Sequence, residues 1–199
     1  MTRNRQREEK VVGKPGKRTP LRSVPLNRAF TFIEEGPVVL VVTARNDKPN
    51  VMTASWTMCM GFEPTVGVVL GPWNYSYQSL LDAGECVLAI PGTDLMEAVV
   101  DIGNCSGEDV DKFKRFGLTA LPAAKVKAPL VVECLANLEC RVVEPPSDRH
   151  LFVLEGVKAW RNPSRTDQRA FHAKGDGTFI IEGERVDLRH RMTRWQHCI

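Results

Sequence analysis

The chain has 199 residues, 43% hydrophobic and 26% charged, a globular composition that excludes a disordered or collagen-like protein. A chain of this length can build one domain whose core needs no disulfide or structural metal, and its longest apolar runs, residues 37–42 and 66–70, fall far short of the roughly 20 residues that cross a bilayer. The formal charge of +3 is unevenly placed: residues 1–23 hold eight Lys or Arg against two Glu, a surplus of six, which leaves the remainder negative by three.

Residues 1–23, basic and punctuated by Gly13, Pro15, Gly16 and Pro20, read as a flexible, solvated tail, with residues 24–199 as the folded domain. The start of the chain has no apolar segment of the kind a secretory signal needs. From Pro37 to Arg45 the β-branched run reads as a buried strand, ended by a turn over residues 46–50 and followed by a hairpin partner from Val51 to Met58. A third strand follows from Thr65 to Leu70. Gly71 and Pro72 break the chain before a short helix with Ser76 as N-cap, Tyr77, Leu80 and Leu81 on one face and Gly84 at its end. Cys86–Ile90 is a strand. Asp94 and Glu97 give a capping-box-like start to a helix through Val99 and Ile102, and residues 109–116 form another short helix ending at Gly117. Residues 130–143 and 151–160 are long strand candidates, and residues 178–181 a short one. Six or seven strands with helices between them predict a mainly β barrel with helical insertions, not an alternating βαβ sheet.

The six cysteines include no C-x2-C pair, and the four histidines all fall in the last third without ligand spacing, so no metal site is expected. Thiols without a framework suit a reducing cytoplasm. The domain has no basic stripe with interleaved aromatics, so no nucleic-acid partner is expected, and no membrane partner either.

Phosphate-loop, dinucleotide-fold, zinc-protease and nucleophile-elbow motifs are all missing. What remains is a pair of polar clusters where loops meet strands, Asn50–Trp56 and Asn74–Ser76. A phosphorylated planar cofactor needs hydroxyls and N–H groups for its phosphate, donors along its polar edge and an apolar wall for its face. These segments hold all three, with Thr53 and Ser55 alternating to one face of a strand and Ser76 opening a helix. On pattern alone, ordinary strand and capping residues account for both clusters better.

Longer stretches carry a resemblance. They are N-x-M-T-x-S-W at 50–56, F-E-P at 62–64, N-Y-S at 74–76, E-C-V at 85–87, G-N-x-S-G-x-x-V-D-K-F at 103–113, F-G-L-T at 116–119, A-P-L at 128–130 and N-L-E-C-R-V-V at 137–143. In this order, over roughly residues 25–185, the chain resembles the flavoredoxins, FMN-binding members of the flavin reductase-like split β-barrel family. The resemblance implies a Greek-key split barrel that pairs as a homodimer with one noncovalent FMN per subunit near the interface. It implies flavin-ring contacts from Asn50, Met52, Thr53, Ala54, Ser55 and Trp56, and contacts near the ribityl chain and phosphate from Asn74, Tyr75 and Ser76. Ser106, Gly107 and Lys112 match a second loop, with Lys112 as the phosphate cation, and Phe171 and His172 close the site. Where relatives carry Lys or Arg beside the N-Y-S segment this chain has none, so the phosphate is left to amides, hydroxyls, Lys112 or the partner subunit.

The function implied is that of an NAD(P)H-dependent oxidoreductase or electron-transfer protein, with NADH or NADPH as cosubstrate and an unspecified electron acceptor. The alternative is a nonenzymatic FMN carrier between redox proteins. The flavin supplies the chemistry, so no catalytic side chain is assigned. Cys59, three residues after Trp56, reads as an inert wall residue because no neighbouring Lys, Arg or His lowers its pKa.

Overall fold

The computed structural model describes residues 20–146 and 148–194, and the basic arm up to residue 19 lies outside them. Part of the expected tail belongs to the fold: Leu21 is buried, and β1 (Arg22–Val24) pairs antiparallel with a strand near the other end of the chain. A 3-10 helix over Leu26–Phe32 then leads into β2 (Val39–Arg45), buried from Val39 to Thr43 on both faces. Val39 and Val41 enter one apolar cluster and Leu40 and Val42 the other, which is why the run is apolar throughout and does not alternate.

Asn46 and Asp47 both have positive φ, 49° and 59°, so the hairpin turns in two residues and β3 (Lys48–Ala54) begins three residues earlier than the sequence predicts. Pro49 is tolerated inside β3 because that strand is an edge of the sheet. The expected long partner strand is broken at Ser55–Trp56: beyond it β4 (Thr57–Cys59) leaves β2 and pairs with β5 (Thr65–Val69).

Helix α1 (Tyr75–Ala83) ends at Gly84, whose φ of 64° is the left-handed cap expected of it. β6 (Glu85–Ile90) follows, then α2 (Met96–Gly103), α3 (Lys112–Arg115), β7 (Ala120–Leu121) and β8 (Leu130–Val131). The capping box is not formed, because Leu95 occupies the cap position of α2 and the Asp94 carboxylate pairs with Arg165. Helix α3 is shorter than the sequence predicts and is capped by Asp111, which accepts from the Lys114 amide at 3.1 Å. The strand predicted over 130–143 is interrupted by a turn after Val131 and resumes as β9 (Ala136–Glu144). β10 (Leu151–Arg161) and the hairpin of β11 (Phe171–Ala173) with β12 (Phe179–Ile181) complete the strands.

The main sheet runs β3-β2-β6-β9-β10-β5-β4, with β1 also on β10, and every pairing is antiparallel. Its two outermost strands, β3 and β4, are consecutive in the chain with only Ser55 and Trp56 between them, so the sheet must curl until its edges meet. Val39, Leu88, Leu138, Phe152 and Leu154 belong to one core, each full burial contributing roughly 1.5–3 kcal/mol. A second core lies between the other side of the sheet and α2, α3 and the 118–131 segment.

Glu182, after β12, faces Glu35, with His172 and Arg185 beside them. Burial and then the Glu35 carboxyl push Glu182 up to about 7. The fold therefore holds a proton there that the unfolded chain releases, so this contact's stability is full in the ordinary carboxylate range and is lost as pH rises through about 7. Between about pH 5 and about pH 8 the melting temperature of the wild type should fall relative to Glu182→Gln, which has no such proton to lose. Parallel curves would refute this.

Candidate functional site

Three segments meet at one cleft of about 270 Å3. β3 contributes Asn50, Met52 and Thr53, the start of α1 contributes Asn74, Tyr75 and Ser76, and the third segment contributes Ser106 and Gly107 from the loop between α2 and α3 and Lys112 from the first position of α3. A hollow of about 200 Å3 continues it along Ala54, Ser55 and Trp56, sharing Met52, Thr53, Trp73 and Asn74. The break between β3 and β4 thus forms a wall of a groove.

At the polar end, Asn50 is buried and donates from Nδ2 to Ser76 Oγ at 2.8 Å, which leaves the Ser76 proton free to donate into the cleft. Asn50 Oδ1 is buried without a partner, a state that costs about 1–3 kcal/mol unless a ligand donor meets it. Opposite stands Gly107, where a Cβ would lie 2.0 Å from Asn50 Oδ1, so only glycine permits this approach. The Asn74 side chain does not cap α1; its Oδ1 accepts from the Gly71 amide at 3.0 Å, and the opening turn of the helix carries no acid. An anion at that turn meets the positive end of the helix.

Lys112 is only 4% exposed, and its Nζ donates to Ile102 O at 2.9 Å. None of the ion pairs among the described residues involves it, and burial lowers its pKa. An ammonium with donors to spare and no counter-ion is set for an anionic ligand.

Thr53 Oγ1 donates to Val99 O at 2.5 Å and so can only accept from a ligand. Its alternation with Ser55 on one strand face does not occur, since β3 stops at Ala54 and Ser55 lies in the link. Trp56 and Trp73 are 68% and 73% exposed and flank this end of the groove, with the Trp73 indole lying over Gly71. Cys59 lies outside the groove lining; its thiol donates to Gly61 O at 3.1 Å, and burial pushes its pKa up. Cys59→Ala should therefore keep ligand affinity within about twofold of wild type and lose about 1 kcal/mol of stability or less. A variant whose ligand affinity falls about tenfold or more would overturn the inert reading.

Twelve of the fourteen residues taken from the sequence line this groove. Phe171 and His172 do not. Phe171 is buried in the second core, edge-on to Phe179 at 5.8 Å, and His172 Nδ1 is 3.1 Å from Gly36 O. Both belong to the hairpin that closes the outer core. Ser76 is not the N-cap of α1 but its second residue, and Asn74 holds the cap position. Trp73, Ile102, Gly103, Asn104 and Cys105 also line the groove; Gly103 and Asn104 stand in the G-N-x-S-G segment, and Trp73 directly precedes N-Y-S.

A family model described as the flavin reductase like domain matches residues 34–178. A protein of Archaeoglobus fulgidus is 41% identical over 112 residues, 55% of this chain, and the match spans 63% of that relative's length. Among solved structures, an FMN-binding domain of a flavin reductase-like enzyme from Shewanella baltica superposes with a TM-score of 0.77 at 25% identity, covering 84% of this chain and 96% of that one. Flavoredoxin of Desulfovibrio vulgaris (Miyazaki F) superposes with a TM-score of 0.70 at 25% identity, covering 89% and 96%. These neighbours have the split-barrel fold described above, and the family model spans both polar clusters and the link between β3 and β4. The chain belongs to the flavin reductase-like family.

Proposed function

We propose that the protein is an FMN-dependent oxidoreductase of the flavoredoxin type, taking reducing equivalents from NADH or NADPH and passing them to a further acceptor. One observation carries the reading: the buried, unpaired Lys112 ammonium and the acid-free opening turn of α1 share one end of a groove whose other end is flanked by Trp56 and Trp73. The spacing of features suits a phosphate at one end and a flat ring at the other.

The residues fit FMN at each part. Lys112, the Ser76 hydroxyl and the first amides of α1 would hold the phosphate, and the orphaned Asn50 Oδ1 would accept from a ribityl hydroxyl. Thr53, already donating to Val99 O, would accept from the polar edge of the ring. Trp56 and Trp73 would exclude water from the ring. When bound, FMN supplies a two-electron exchange with a nicotinamide and the means to pass electrons on. The chain's own part is to bind and orient, and no Asp, Glu or His lines the groove to take a proton.

The likeness to flavoredoxin and to the flavin reductase-like enzyme supports this assignment. Trp56, Met58 and Met60, each about half exposed or more, alternate along β4 and its flanks from the groove wall outward, with the two methionines side by side over Gly67, which supports a homodimer that covers them and walls the site. Among the described residues no helix is long and apolar enough to cross a membrane.

Anaerobic mixing of the FMN-loaded protein with NADH and with NADPH tests the assignment. Rapid bleaching of the visible flavin band by one nicotinamide is the expected result. Bleaching only by a reduced redox protein would favour the nonenzymatic carrier, and failure to bind FMN would reject both. Sedimentation should give two subunits, and a monomer with tight FMN binding would exclude the dimer.

A further inference from the structure

The β11–β12 hairpin, which keeps His172 out of the groove, sets it beside two carboxylates. Phe171 pairs with Ile181 and His172 with Ile180, and side chains alternate across the ribbon. Phe171 enters the second core, so His172 stands on the opposite face. The Glu182 amide continues the ladder by donating to Ala170 O at 3.2 Å, which puts Glu182 diagonally across from His172 on that same face. The third member comes from outside the hairpin. The Val38 amide donates to Phe171 O at 2.9 Å and ties the approach to β2 onto β11, and Gly36, with a φ of 69°, turns the chain between Glu35 and that contact.

One ring nitrogen of His172 and one carboxylate oxygen each from Glu35 and Glu182 lie within 4.8 Å of one another. His172 Nδ1 is 3.1 Å from Gly36 O, an atom that only accepts, so Nδ1 carries a proton and the neutral ring keeps its lone pair on Nε2. A backbone carbonyl in this role fixes the tautomer and orientation of a metal-binding imidazole. The two glutamates bring two negative charges together. Arg185, 3.6 Å from Glu35 and largely exposed, offsets one of them, whereas a dication offsets both.

We infer that Glu35, His172 and Glu182 bind a zinc ion, with water completing its coordination. An imidazole with two carboxylates and no thiol suits a first-row divalent ion of this kind, while Mg2+ takes oxygen ligands and keeps its waters. Drawing the set in to bonds of about 2.0–2.2 Å is a rotamer-scale movement of two glutamates that are not fully buried, and it releases Arg185 to solvent. The ligands stand at positions 35, 172 and 182, so no local spacing announces them, and the histidines give no sign of a metal in the sequence. None of the three lines the flavin groove, and the inference is independent of the flavin reading. The ion pins the hairpin to the segment that leads into β2.

Calorimetric titration of the full chain with zinc sulfate at about pH 8, after removal of metal with a chelator, tests this. One zinc per chain with a dissociation constant of about 10 μM or tighter is expected, with no comparable binding of magnesium sulfate. His172→Ala and Glu182→Gln should each weaken zinc about tenfold or more, and Arg185→Ala, which removes the competing cation, should leave it as tight or tighter. Both ligand positions lie at the surface of the hairpin, so these variants should fold, and melting curves in chelator check that they do. Zinc should raise the melting temperature of the wild type and not that of His172→Ala. Zinc binding weaker than about 100 μM, or binding that neither His172→Ala nor Glu182→Gln weakens, as ligation by cysteines elsewhere would give, would overturn the inference.

Discussion

Gly107→Ala should cost the protein most of its affinity for FMN. The new methyl would lie 2.0 Å from Asn50 Oδ1 and 2.5 Å from Asn50 Cγ, and Asn50 is a short, buried side chain bonded to Ser76. To make room, Asn50 must leave Ser76 Oγ or the 104–107 loop must move outward, and either change dismantles the polar end of the groove. Overpacking of this kind costs about 1–3 kcal/mol of stability, so the variant should still fold. The loss of two positioned hydrogen-bonding groups should weaken FMN at least about tenfold. Asn50→Ala in the same background frees the space without restoring the contacts, so it should recover stability and not affinity. Wild-type affinity in Gly107→Ala would remove the Asn50–Gly107 contact from the binding site.

Lys112→Met should separate phosphate recognition from ring recognition. In the wild type the ammonium is desolvated and, among the described residues, donates to the Ile102 carbonyl alone, so an apolar side chain of similar length should leave the fold as stable or more so. Removing a charge-assisted hydrogen bond of roughly 1.5–3 kcal/mol should weaken FMN about 10- to 100-fold. Riboflavin, which has no phosphate, should bind wild type and variant alike. Equal losses for FMN and riboflavin would show that Lys112 shapes the loop and does not contact the phosphate.

The sequence announced those elements in which one local signal had no competitor. The β-branched run before Arg45 read as a buried strand and Gly84 as a helix end, and both are found. Elements went unseen where tertiary contacts decided. Asp94 carries a capping pattern, but Arg165, 71 residues away, takes its carboxylate. Residues 51–58 alternate well enough for one strand, and nothing local reveals that β2 receives the first part and β5 the second. β1 has only three residues and exists because β10 has an open edge for it. The motif segments of the candidate site stood out in the sequence, and most of their residues converge on one groove. Phe171 and His172 were assigned by resemblance where loop lengths differ, and the β11–β12 hairpin carries Phe171 into the second core and sets His172 beside Gly36, away from the groove lining.

Among the described residues, β3 and β4 are joined by the main chain yet share no ladder hydrogen bonds, since β3 pairs with β2 and β4 with β5. The seam is therefore the weakest line around the barrel, bridged by the Ser55–Trp56 link, while the Val69 amide on Trp56 O at 3.0 Å extends the β4–β5 ladder on one side of it. The groove runs along this line, with Asn50, Met52 and Thr53 on one bank and Trp56 and Trp73 on the other. A molecule that touches both banks binds only while they are together, and so acts as a cross-tie in place of the absent rungs. Amide exchange should consequently slow along β4 and the start of β5 when the groove fills, and stay unchanged in β9, whose neighbours on both sides already lock it.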